Sequence, residues 1–120
     1  MTEREELELA AKAAGIGPLD FDYAEREGHG MYFGPRIPAP KGGLVAMTHT
    51  YWRPKEDDGD ALRLAVKVGM RLELDNNWQR SHAQQMQKGE WFTAPHNSDP
   101  YAATRLAIFR AAVEIGRAMP

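Results

Sequence analysis

Apolar positions recur along the chain with two different periods, and each change of period marks a new element. From Thr2 to Ala14 the residues Leu7, Ala10, Ala11 and Ala14 fall on one stripe, the three-to-four-residue spacing of a helix. Thr2 and Glu5 have capping-box spacing, and the early glutamates suit the positive end of the helix dipole. Gly15, Gly17 and Pro18 end this segment. Over residues 19–34 the period shortens to two: Phe21 and Tyr23 alternate with Asp20 and Asp22, Gly28-His29-Gly30 supplies a turn, and Met31-Tyr32-Phe33 returns, which predicts a hairpin. Pro35 to Gly43 holds three prolines and two glycines in nine residues and reads as a surface loop or sheet edge, since proline cannot donate to a ladder. Leu44 to Trp52 reads as a strand that ends on the aromatic pair Tyr51-Trp52.

In the second half, Arg53 to Gly59 is a charged loop from which Asp57 or Asp58 can cap a helix over about Asp60 to Val68. Ala61, Leu64, Ala65 and Val68 point inward there, with Arg63 and Lys67 on the other side, and Gly69 stands at the left-handed position after the helix end. Met70 to Asp75 alternates cleanly, with Met70, Leu72 and Leu74 on one face of a strand, and Asn76-Asn77 begins a turn. Residues 78–90 are polar and glutamine-rich, consistent with a long loop or a frayed short helix, and Trp91 to Ala94 resembles a returning strand. Asp99 as cap and Pro100 at the first helical position open a last helix that runs to about Ala118. Its apolar arc holds Ala102, Leu106, Ile108, Phe109, Ala112, Val113, Ile115 and Met119. The order α-β-β-β-α-β-β-α, rich in hairpins, predicts an α+β fold: a mainly antiparallel sheet with three helices packed on it. Without internal repeats or a low-complexity tail, residues 1–120 are expected to form a single domain.

Composition narrows the function classes. Lys and Arg number 15 against 17 Asp and Glu, so the net charge of −2 offers no basic face for duplex nucleic acid. The absence of cysteine excludes disulfides, thiol catalysis and iron–sulfur clusters, and suits a reducing compartment. No apolar run is long enough to span a bilayer, and the acidic start Met1-Thr-Glu-Arg-Glu-Glu is unlike a secretion signal, so the cytoplasm is expected and no membrane partner.

Arg105 is the most informative single residue. The helical period puts it near the middle of the last helix's apolar arc, where a charge must be paired or open onto a cavity. Two readings follow: an arginine that holds a phosphate or carboxylate in a cleft near a helix N-terminus, or a structural ion pair with Asp99, Asp60 or Asp58. A second constellation, Tyr51, Trp52, Arg53, Asp57 and Asp60, combines stacking faces, a phosphate partner and carboxylate acceptors, and could rim a nucleotide-like ligand. Its alternative is a core tryptophan beside a helix cap. Trp91 and Phe92, with Trp78 near them, are either packing anchors or a stacking platform beside a polar loop. The four histidines have no metal-ligand spacing, no catalytic motif is present, and neither a cofactor nor a metal is expected; a small hydrolase built on a His–Asp pair is the enzymatic alternative. The alanine-rich first helix and broad arc of the last would serve a two-fold homo-oligomer or a monomer core equally.

The second half also resembles the NinX-type proteins of phages and prophages. The resemblance is carried by a Trp-x-Pro loop with acidic residues after it (Trp52, Pro54, Asp57), the helix-to-strand run from Asp60 to Leu74, a Gly-x-Trp return (Gly89, Trp91) and the helix start Pro100-Tyr-Ala-Ala. Leu9 to Gly15 looks like the family's opening helix, and the chain departs from the pattern over residues 29–49. The resemblance implies a phage accessory protein in the bacterial cytoplasm and supplies no established reaction or catalytic residue. That setting favours a counter-defence role, with sequestration of a nucleotide second messenger as one expectation and inhibition of a host defence protein, with no small ligand, as the other.

Overall fold

The computed structural model describes residues 1–16, 18–21, 35, 37, 52–85 and 90–120. Among them the elements run α1 (Glu3–Ala13), α2 (Asp58–Val68), β1 (Met70–Asp75), β2 (Arg80–Gln85), β3 (Phe92–Pro95) and α3 (Pro100–Ala118). The strands form one antiparallel sheet in the order β1-β2-β3, so the fold is α+β with helices packed on an antiparallel sheet. The predicted hairpin over 19–34, the proline loop and the strand ending at Trp52 lie almost wholly outside the described residues. Of their members, Phe21 and Trp52 are buried in the core.

Each helix begins and ends on the chemistry its flanks supply. Thr2 Oγ1 accepts from the Glu5 N–H at 3.1 Å. At the other end of α1, Gly15 takes φ +70°. The Ile16 and Gly15 N–H groups donate to the Ala11 and Lys12 carbonyls, the paired bonds of a Schellman cap. Asp57 caps α2 by accepting from the Asp60 N–H, so this helix starts at Asp58, two residues before the expected Asp60. Gly69, at φ +79°, turns the chain from α2 directly into β1. Asp99 accepts from the Ala102 N–H and Pro100 fills the first position of α3.

The sheet corrects one expectation. Within residues 78–90, whose polar composition predicts a loop or frayed helix, Arg80–Gln85 form β2, the central strand, paired with β1 on one side and β3 on the other. Its inward residues, Ser81 and Ala83, are 1% and 0% exposed. They are too small to write an apolar period into the sequence, yet their size lets a helix lie close above them. The β1–β2 connection spans Asn76–Gln79, where Asp75 Oδ1 accepts from the Asn77 and Trp78 N–H groups. The strand expected over Trp91–Ala94 is found at Phe92–Pro95.

Helix α3 makes the main helix–sheet contact, over β2 and β3, and α1 packs along α3. This double coverage changes the predicted arc. Ala103, Ala107, Ala111 and Gly116 are buried, whereas Leu106 and Ile115 are only half-buried and Met119 is exposed. Ile108, Phe109, Ala112 and Val113 of the predicted arc are buried as expected, and the small residues add a close-packed stripe beside them. At Gly116 a Cβ would lie 1.9 Å from the Leu9 carbonyl oxygen, so the two helices touch backbone to side-chain-free backbone. The alanines of α1 and the apolar arc of α3 are thus occupied by each other in one shared core with Trp52, Leu64 and Ala83. No helix among the described residues is long and apolar enough to cross a membrane.

Candidate functional site

Helix α2 packs chiefly on α3 and touches β1 little, although Gly69 joins the two in sequence. The wedge left between them is a cleft of about 520 Å³. Ala61 and Leu62 of α2 form one wall, Tyr101, Arg105 and Ile108 of α3 the other, and Leu72, Leu74 and Ser81 of the inner sheet face the floor. The lining is mostly apolar with a few convergent polar groups, the usual make-up of a ligand site. Its mouth carries large apolar side chains that folding has left in water: Leu62 is 57%, Leu74 60% and Tyr101 69% exposed. Leu74 continues the inward row of Met70 and Leu72 past the end of the helix layer, which is why the most regular strand of the sequence ends in an uncovered leucine.

Arg105 stands where both of its readings meet. Nε donates to the Lys55 carbonyl at 2.8 Å and Nη1 reaches Asp58 Oδ1 at 2.6 Å. The ion pair expected with Asp99, Asp60 or Asp58 is therefore made with Asp58, and both residues line the cleft. Lys55 is itself fixed, with Nζ 3.6 Å from Glu3 Oε1 and 5.5 Å from the Phe109 ring centroid. The guanidinium is thus held against a braced loop, and Arg105 lines the cleft beside it.

At the inner end of the cleft runs a chain of hydroxyl contacts. Ser81 Oγ lies 3.0 Å from His96 Nε2 and 2.8 Å from Thr104 Oγ1, and Thr104 donates to the Pro100 carbonyl at 2.7 Å. Thr104 has one hydroxyl proton, and Pro100 takes it. Ser81 then donates to Thr104 and must accept from His96 Nε2–H. In this direction the histidine is a donor to the serine, the opposite of a base that activates a nucleophile. His96 is set in place by its backbone N–H, which donates to the Gln79 carbonyl, and by a tight turn in which Asn97 and Ser98 take φ +47° and +69°. Positive φ at two consecutive non-glycine residues is backbone strain beside the cleft floor.

The sequence-predicted residues divide. Arg105 lines the cleft. Tyr51 lies outside the described residues. Trp52 is 2% exposed and its N–H donates to the Pro35 carbonyl, so the core reading holds and its ring is closed to stacking. Arg53, Asp57 and Asp60 come together as a brace of the α2 start: Asp60, itself buried, accepts from the Arg53 N–H at 2.9 Å and from Arg63 Nη2 at 2.8 Å. Phe92 packs partly buried against the core. Trp91 is half-exposed at the start of β3, edge-on to His82 at 6.1 Å, while His82 Nδ1 meets Thr93 Oγ1 at 2.8 Å on the outer sheet face. Both described histidines, His82 and His96, hydrogen-bond to hydroxyls, and no three His, Asp or Glu side chains among the described residues gather as a metal would require.

Leu62, Leu74, Tyr101, Asn76 and His96 are cleft residues that sequence reasoning did not select. Leu62 did leave a signal, since it and Val66 sit off the inward stripe of α2, an apolar pair one turn apart on a face otherwise given to Arg63 and Lys67. Compared with known proteins, the chain matches no family model, no curated protein and no solved structure.

Proposed function

We propose that this chain is a non-enzymatic binding protein that holds a nucleotide-type signal in the cleft between α2, α3 and the inner sheet face. One observation carries the reading: a braced arginine turns into an apolar cleft of about 520 Å³ whose mouth is lined by exposed leucines and a tyrosine. A flat heterocycle suits walls made of Leu62, Leu74 and Tyr101, and a phosphate suits Arg105. The direction of the Ser81–His96 contact supports binding over turnover. The resemblance of the sequence to phage NinX-type proteins supports a counter-defence setting in the host cytoplasm, where removing a signal from circulation needs affinity and no reaction.

The test is a thermal-shift screen of the purified chain against mononucleotides, cyclic oligonucleotides and ADP-ribose-type compounds, followed by calorimetry of any hit. Stabilisation by one compound, its recovery intact, and its loss with Arg105→Ala support the reading. A compound recovered cleaved makes the chain a hydrolase. A second reading, inhibition of a host protein, is favoured by the same exposed Leu62, Leu74 and Tyr101, which would anchor a partner's surface. A flat screen together with a host protein whose capture is abolished by Leu74→Asp would establish it.

A further inference from the structure

The two walls of the cleft are joined by an ion pair whose members are unequally committed. The Arg105 side chain is 17% exposed and Asp58 is 65% exposed, across a contact of 2.6 Å. Arg105 is held a second time, through Nε to the Lys55 carbonyl, so the cation stays where it is whether or not Asp58 does. Asp58 sits at the first position of α2, with no other partner for its carboxylate among the described residues. It uses Nη1 alone, and Nη2 has no partner among the described residues. A free oxyanion could take both Nη groups at once, which is the stronger, bidentate geometry.

We propose that Asp58 is an internal stand-in for a ligand's anionic group, and that the cleft takes an aromatic body carrying one such group. On binding, a phosphodiester, carboxylate or sulfonate replaces the Asp58 carboxylate on Arg105, while the body lies along Leu62, Leu74 and Tyr101. The charge balance sets the class. Of the charged side chains that line the cleft, Arg105 is the cation and Asp58 the anion, so one incoming negative charge is matched and further ones face Asp58 unmatched. The apolar mouth sets the rest, since a small inorganic anion would leave those side chains in water. The inference rests on the ligand-binding reading above and adds to it a ligand charge and a built-in competitor.

The test uses two fluorescent probes with nearly the same aromatic body, anilinonaphthalene sulfonate and its neutral counterpart phenylnaphthylamine, titrated into the full chain. Asp58→Asn is expected to tighten the sulfonate about five-fold, which is about 1 kcal/mol at 1.4 kcal/mol per decade, and to leave the neutral probe within about two-fold. Arg105→Gln is expected to weaken the sulfonate by at least about five-fold with the neutral probe again little changed. Asp58→Ala serves as a second variant, because asparagine keeps an acceptor near Nη1, and it should tighten the sulfonate in the same sense. Circular dichroism and melting of each variant keep a folding defect apart from a binding one. If the sulfonate depends on Arg105 but both Asp58 variants leave it unchanged, or shift both probes alike, the stand-in is overturned and the cleft reading survives. If neither probe binds the wild-type chain, or binding ignores both Arg105→Gln and Leu74→Asp, the cleft reading falls and the stand-in with it.

Discussion

Gly116 gives the sharpest test of the packing that shapes this molecule. A Cβ at that position would lie 1.9 Å from the Leu9 carbonyl oxygen and 2.7 Å from its carbonyl carbon, both backbone atoms. Real Cβ contacts stay above 3.0 Å, so Gly116→Ala must push α1 and α3 apart by about 1.1 Å, the difference between the two distances. A gap of about 1 Å forfeits a quarter to a half of the dispersion energy of the atoms that line it. The buried alanines at and just after α1, Ala10, Ala11 and Ala14, carry only methyl groups with which to refill it. Overpacking of this kind costs about 3 kcal/mol, and the better helix propensity of alanine returns about 1 kcal/mol. The net loss is about 2 kcal/mol, or a fall in Tm of about 8 °C for a domain of this size. Gly69 is the counterpart: its Cβ would meet nothing within 4 Å, but its φ is +79°. Gly69→Ala should cost about 1 kcal/mol and Gly69→Asn less, because asparagine tolerates the left-handed region. At Gly116 the order is reversed, with asparagine worse than alanine. Urea unfolding followed by far-ultraviolet circular dichroism measures all four variants. A Gly116→Ala chain as stable as wild type, or more so, would show that α1 does not approach α3 as described.

Three further outcomes follow from the same contacts. Asp60→Ala removes the buried acceptor of both the Arg53 N–H and Arg63, and should cost about 2 kcal/mol in urea unfolding, while Arg63→Ala, at an exposed partner, should cost less than about 1 kcal/mol; equal costs would mean that the ion pair and not the backbone contact matters. The direction of the hydroxyl chain requires His96 to carry its proton on Nε2, which long-range nitrogen–proton NMR correlations report, and an Nδ1–H tautomer would reverse the chain. Ser98→Gly relieves a residue held at φ +69° and gives up only an exposed hydroxyl contact with the Asn97 carbonyl, so it should raise stability by about 0.5–1 kcal/mol, and a drop in Tm would mean that this contact outweighs the strain.

What the sequence made legible was local. The Thr2, Asp57 and Asp99 caps, the Gly15 and Gly69 stops and the alternation of Met70 to Asp75 each act within a few residues, and each is present. β2 was not legible because its inward residues are Ser81 and Ala83: a strand roofed by a close helix needs small side chains, and small side chains leave no hydrophobic period. The same reasoning applies to part of α3: Ile108, Phe109 and Val113 were legible as core, whereas the buried Ala103, Ala107, Ala111 and Gly116 are too small to mark an apolar face. For the site, the period placed Arg105 correctly and named Asp58 among its partners, because an arginine on an apolar arc has few ways to be satisfied. The rest of the cleft was hidden because it is assembled from α2, β1, the start of β2, the turn after β3 and the first half of α3, whose nearness is a property of the tertiary fold. Trp52 misled for the opposite reason: its neighbours Arg53, Asp57 and Asp60 offered ligand chemistry in sequence, and folding used that chemistry to brace a helix start.

The most direct test of the cleft as the working surface is an amide NMR titration of the uniformly labelled chain with cyclic adenosine monophosphate, an aromatic body on a singly charged phosphodiester. Shift changes should gather at Ala61, Leu72, Tyr101 and Thr104 and leave Glu73, His82 and Thr93 on the outer sheet face in place. Changes confined to that outer face, or no change at millimolar nucleotide, would contradict the account.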